Sequence, residues 1–356
     1  MNDWKSAHKE GSAECGVQSQ IPRPVTRNPV PAEASSNREF SLWAQRWTLA
    51  GAAGWAVMAM LARLEFVRIG MIELLFLFGP LVIVPLGLEL QRIRGATGFA
   101  FRLTQMLQPL GAVVAVEAVC LPPGRRAAFF AMGWMAVCAL ATLSGALEIG
   151  KAFLGKSGRA TWLEIAFAIA KIDLAVAGAW FVASRLGVHP MGILEPIGLL
   201  TAVHFHFAGF ATATIAAATL NFAQDRDRAR WLRLVVGLVV LLPFMVAAGF
   251  VISPVLKMTS AVSFSISVVL LAGFLWKSAA AVEDHTARIF LRIAAGSIFA
   301  GMILSTAYAI ADFVGSEALP IPRMASTHGV INAVGFCLCG LLGWIVESES
   351  RIAAKT

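Results

Sequence analysis

The sequence predicts an all-α integral membrane protein, a bundle of about ten transmembrane helices with both termini in the cytoplasm. Three observations predict it. Mean hydropathy over the 356 residues is +0.74. Hydrophobic residues make up 58% of the chain and charged residues 14%, where soluble domains carry about 25% charge. The basic residues stand in short gaps between long apolar runs, where Lys and Arg set membrane orientation. A net charge of +8 and a sequence pI near 9.7 would suggest nucleic acid as the partner of a soluble protein. This spacing excludes it and makes the lipid bilayer the partner.

Residues 1–47 are polar and carry Pro22, Pro24, Pro29 and Pro31. They read as a disordered cytoplasmic tail, because a secretory signal needs an apolar stretch close to the start. Crossing about 30 Å of hydrocarbon takes roughly 20 helical residues. Ten runs qualify, at 48–64, 70–90, 103–121, 127–149, 161–184, 193–221, 232–253, 258–277, 289–311 and 323–346. Each is expected to be a helix, since lipid offers the backbone no hydrogen-bond partner. Pro80 and Pro85 predict a kink in the second. The membrane domain is expected over 48–346, followed by a short cytoplasmic tail over 347–356.

Alternate gaps test the count. One set holds Arg92, Arg94, Arg102, Lys151, Lys156, Arg159, Arg226, Arg228, Arg230, Arg233, Lys277, Arg288 and Arg292. The other holds Arg63, Arg68, Arg125, Arg126, Arg185, Lys257 and Arg323. The richer set, 13 against 7, lies on the side of the basic N-terminal tail, which places both termini inside. The expected location is the bacterial cytoplasmic membrane. Ten spans also suggest two inverted halves of five, although no motif repeats convincingly between them. Four of the five cysteines fall in apolar runs, and Cys337-Leu-Cys339 lacks the C-x-x-C spacing of redox and zinc motifs. They read as small buried hydrophobes.

Polar groups inside a span are costly and mark sites, paths or ion pairs. The sixth run carries Glu195, Pro196, Thr201, His204 and His206; the tenth carries His328, Gly329, Asn332 and Gly335. If the sixth helix enters from outside near 193, His204 lies about 16 Å deep at 1.5 Å per residue. His204 and His206 are about 200° apart around a helix, so an undistorted helix cannot aim both at one ligand. Either one faces the site while the other bonds a neighbouring helix, or the helix is locally distorted. Thr201 and His204 share a face, as do Glu195 and His206. His328 and Asn332 are spaced i, i+4 and point the same way. Both segments enter from the outer side, so the two clusters are expected to meet in the outer half of the bundle. On the fifth run, Glu164, Lys171 and Asp173 form a second polar set. Lys171 needs a carboxylate there, either Glu164 or Glu148 of the fourth run, in an ion pair or a proton relay.

With Glu195-Pro196, the run from Leu199 to Phe210 and the later His328-Gly329-Val-Ile-Asn332-Ala-Val-Gly335-Phe336, the sequence resembles the YndJ-like family of bacterial multi-pass membrane proteins. The resemblance covers about 48–346 and implies a multi-pass fold in which these residues matter; it assigns no chemistry. Some members carry an additional soluble C-terminal portion, whose activity is not expected in this chain.

Three functions fit these residues. The first is a transporter or permease for a small or lipid-like substrate, bound at Glu195, Thr201, His204, His206, His328 and Asn332, with Glu148, Glu164, Lys171 and Asp173 as relay or ion pairs. The second is a membrane-embedded enzyme, with a haem or metal on His204, His206 and His328, or with acid-base chemistry on a lipid between a histidine and Glu195. Against metal, no H-x-x-x-H spacing places two ligands on one helical face. The third is a structural subunit in which the polar clusters only hold helices together. The cofactor is left unknown.

Overall fold

The computed structural model describes residues 31–154, 161–223, 226–316 and 319–354. Contacts divide the chain into two units, Met1–Phe40 and Ser41–Thr356. In the first, the described residues are the opening turns of a helix. The described residues hold no strand and form ten long helices. These are α1 (Pro31–Arg63), α2 (Met71–Ile93), α3 (Phe99–Cys120), α4 (Arg125–Leu154) and α5 (Trp162–Leu186). They continue with α6 (Ile197–Phe222), α7 (Arg226–Ile252), α8 (Pro254–Ala281), α9 (His285–Phe313) and α10 (Ile321–Ala353).

Nine of them, α2 to α10, are long and apolar enough to cross a membrane. The first predicted span, 48–64, is the latter part of α1, which is long enough but is not among those nine. Two stretches read as tails are also helical where described. α1 begins at Pro31, while residues 1–30, including Cys15, lie outside the described residues. α10 continues to Ala353, and its Ser350 hydroxyl donates to the Asp284 carboxylate before α9 at 3.0 Å. The expected sixth span opens later than predicted. A loop with a 3-10 turn at Pro190–Gly192 precedes α6, which starts at Ile197.

Helices adjacent in sequence pack side by side through α3, α4 and α5 and again through α7, α8 and α9. The interior belongs to α2 and α6, whose spanning windows are 72% and 78% buried within the protein, against 33–56% for the other seven. Their faces fit because glycines stand at the closest approaches. A Cβ at Gly87 would enter the Phe210 ring, and one at Gly340 would meet Ile215. Gln91 Nε2 ties α2 to α6 through Thr214 Oγ1 at 3.0 Å, and Trp344 Nε1 ties α10 to α6 through Thr219 Oγ1 at 3.2 Å.

Three inner helices also share a distortion. α2 is widened to π geometry over Gly79–Ile83, α6 over Phe205–Ala211, and α10 over Ala325–Gly329 and Ile331–Leu338. The widened turns of the three helices pack against one another. In α2 the cause is legible. Val84 N–H reaches back five residues to Gly79 O, and Pro85 has no N–H to give. Pro80 O is thereby left without a donor inside the helix, and Gln108 of α3 supplies one at 2.6 Å. The widened turn falls where Pro80 and Pro85 predicted a kink. Alongside it, α1 comes so close that any Cβ at Gly51 would strike Leu81 O.

Candidate functional site

α6 and α10 both enter from one end of the bundle, and each carries its histidine on its eighth residue. Seven residues at 1.5 Å place His204 and His328 about 10 Å into their helices, shallower than the 16 Å expected for His204 because α6 starts at Ile197. The segments meet. Met71–Phe78 of α2 packs on both Ile197–His204 and Ala325–Gly329, and the widened turn of α6 touches that of α10.

The three histidines have different surroundings. His206 is fully buried. Its Nδ1 lies 2.8 Å from Ala202 O, and its Nε2 lies 3.1 Å from the indole nitrogen of Trp134 on α4. An indole N–H only donates, so Nε2 accepts and Nδ1 carries the proton to the carbonyl. Phe76 meets the ring edge-on at 5.4 Å between centroids. Gly79 is against it too, since a Cβ there would lie 3.0 Å from the ring. His206 bonds a neighbouring helix, and α6 is distorted from Phe205 onward.

His328 is also held on two sides. Its Nδ1 is 2.8 Å from Gly301 O on α9. Asn332 Nδ2 stands 3.1 Å from its Nε2 and 3.2 Å from its Nδ1. Asn332 fits because position 301 is glycine; a Cβ there would collide with its Oδ1. That oxygen is buried and receives no hydrogen bond among the described residues.

His204 is exposed. Its Nδ1 lies 2.7 Å from Leu200 O, so the proton sits on Nδ1 and the Nε2 lone pair faces outward, with no hydrogen-bond partner among the described residues. Thr201, one turn earlier, returns its hydroxyl to Ile197 O at 2.9 Å. Glu195 is exposed and precedes α6 rather than lying on it, with its carboxylate accepting Leu199 N–H at 3.1 Å. The shared face with His206 that the sequence suggested required a helix from 193, and so lapses. His204 Nε2 has no hydrogen-bond partner among the described residues, whereas Asn332 Nδ2 lies over the His328 ring, about equally far from both its nitrogens. No group of three His, Cys, Asp or Glu among the described residues is placed to hold a metal ion.

The second polar set separates into three fates. Glu164 closes a capping box with Thr161 at the start of α5 and is spent there. Lys171, fully buried, pairs with Glu148 of α4 at 2.5 Å, and Ser144 holds the other Glu148 oxygen at 3.1 Å. Phe101 of α3 covers the ammonium at 5.2 Å, a cation–π contact that a desolvated charge strengthens. Asp173 is fully buried, and neither of its oxygens has a hydrogen-bond partner among the described residues.

Sequence reasoning missed Trp134, Gly301 and Gln108, which complete these environments. Their partners are 72, 27 and 28 residues away, and only packing brings them together.

Over residues 74–336 the chain matches the model of a family described as YndJ-like protein. It is 29% identical over 186 residues to the uncharacterized membrane protein YndJ of Bacillus subtilis (strain 168), an alignment covering 52% of this chain and 33% of that protein. The chain therefore spans about a third of the length of the curated relative it matches. No solved structure matches it.

Proposed function

The chain belongs to the YndJ-like protein family, and from that premise we propose that it is a permease of the bacterial cytoplasmic membrane that moves a small or lipid-like substrate. The substrate would dock in the outer half of the bundle, between the outer segments of α2, α6 and α10. The observation that carries this reading is the unengaged Nε2 of His204, exposed about 10 Å into α6, whose following widened turn packs on that of α10. An imidazole there can accept a hydrogen bond or a proton from a passing solute. The widened turns in α2, α6 and α10 support it as well, since such turns concentrate at functional sites in helices. The Lys171–Glu148 pair is structural in this reading. One observation favours a purely structural subunit instead: the rings of His206 and His328 are both used as ties between helices.

The test is a thermal-stabilisation screen of purified protein against small solutes and short-chain lipids, followed by uptake of each hit into proteoliposomes. We expect a ligand whose stabilisation and uptake disappear in His204→Ala while that variant melts like the native chain. A Soret band or stoichiometric metal in the purified protein would move the reading to an enzyme. Hits that survive His204→Ala unchanged would remove the site from the mechanism.

A further inference from the structure

The fifth helix carries a polar group that no part of the proposed permease site uses. Asp173 lies at the middle of α5, eleven residues after Trp162 and thirteen before Leu186, close to the centre of the bilayer if the helix spans it. It rests against α6 at Gly209, twelve residues into that helix and inside its widened turn. A Cβ at Gly209 would lie 2.9 Å from the Asp173 Cβ, Cγ and Oδ2, so only glycine lets the carboxyl seat there. Both carboxyl oxygens are inaccessible to water and receive no hydrogen bond from any described residue.

Among the described residues the surroundings offer no counter-charge; α2 and α3, which touch α5 through Phe76 and Phe101, carry their charges near their ends, at Glu73, Glu89, Arg92, Arg102 and Glu117. Lys171 is two residues away, about 200° around the helix, and already pairs with Glu148 of α4. The other titratable group in the middle of α4, Cys138, packs toward Gly178 one turn beyond Asp173 on α5. On α6 the titratable ring one turn before Gly209, His206, has both nitrogens engaged. α7 also packs on α5, but its charged side chains fall within its first eight residues, up to Arg233. An isolated ionised carboxylate in such a medium is very costly, and intramembrane acids without a partner mark proton or ion paths. A hydrated metal ion needs room and several oxygen ligands, and water cannot reach these oxygens. A proton needs neither.

We propose that Asp173 is a proton-binding site at the middle of the α5–α6 contact, its carboxyl neutralised by a proton on the side chain seated against Gly209. The bond formed is O–H on one carboxyl oxygen; the proton is taken from hydronium, which becomes water, while the carboxyl is still in contact with solvent, before α5 and α6 close over it. This goes beyond the permease reading and does not depend on it, because the site would hold its proton with or without a transported solute.

The experiment is infrared spectroscopy of the full purified chain in lipid nanodiscs at neutral pH, in light and heavy water. We expect a carboxylic-acid C=O band in the native protein that is lost in Asp173→Asn and retained in Glu148→Gln. Asp173→Asn should also melt no lower than the native chain, since it replaces one neutral group by another of the same shape. Absence of the band in the native protein would overturn the proposal, as would its survival in Asp173→Asn. Should Asp173→Asn fail to fold, titration of the native band decides: conversion to carboxylate stretches at alkaline pH supports the site, and no such band at any pH refutes it. Loss of the native band when choline is replaced by sodium would make it a metal-cation site and equally overturn the proposal.

Discussion

Two histidines separated by a single residue have opposite environments here. His206 spends both nitrogens inside the bundle, on Ala202 O and the Trp134 indole, whereas His204 keeps Nε2 open. Removing a donor from a buried acceptor costs its desolvation, about 1–3 kcal/mol. Trp134→Phe keeps much of the ring and deletes the donor, so it should lower stability by that order. His204→Ala removes an exposed ring and should stay within about 0.5 kcal/mol of native. Melting of both variants in detergent checks the contrast; equal losses would mean that the environments are not as different as the structure has them. The polar residues themselves were plain in the sequence, because a histidine within an apolar run stands out. Which of their nitrogens is free was not, since the answer lies on α4 and α9.

At the scale of the helix, the π turns decide where carbonyls are left over. Pro80 O loses its helical donors through the five-residue reach of Val84 and the missing N–H of Pro85. Gln108 is buried and repairs it from α3. Gln108→Leu should therefore cost about 1–3 kcal/mol, read as a lower midpoint in a mixed-micelle unfolding titration with helix content by circular dichroism unchanged before the transition. A native-like midpoint would mean that the carbonyl finds water or another donor. The prolines announced the kink. Gln108 gave no signal, being one polar residue among several on α3. The distortion in α6 has no proline within it, since Pro196 lies before its first turn. It was foreseeable only as one way of reconciling His204 with His206.

For the whole molecule, nine described helices are suited to crossing, with α1 as the remaining candidate. If α1 crosses as well, the excess of Lys and Arg on alternate gaps places the N- and C-termini on the cytoplasmic side. A cysteine at His189, in the exposed loop before α6, should then react with a membrane-impermeant maleimide in intact cells. One at Glu283, between α8 and α9, should react only after permeabilisation. The native cysteines would be replaced first, because Cys120 is itself exposed at the end of α3. The reverse pattern would invert the topology and move the His204 site to the cytoplasmic half. The widened turns fall on α2, α6 and α10, a spacing of four helices, and so do not follow the five-plus-five repeat that the span count suggested.

By itself the sequence determined the class of molecule, the approximate limits of its spans and the short list of polar residues that lipid would not tolerate without a reason. These follow from composition and local order, because a bilayer forces every spanning segment to satisfy its own backbone and penalises each polar side chain singly. It also left Lys171 with two candidate carboxylates and three histidines with equal claims. Tertiary structure alone decided that Glu148 pairs with Lys171 while Glu164 caps a helix, that Trp134 and the Gly301 carbonyl tie two of the histidines to other helices, and that Asp173 has Gly209 beside it and no hydrogen-bond partner among the described residues. Those outcomes depend on which helix face meets which at a few ångströms. Spacing along one helix fixes a direction, whereas the partner lies on another helix whose rotation and depth are set by packing.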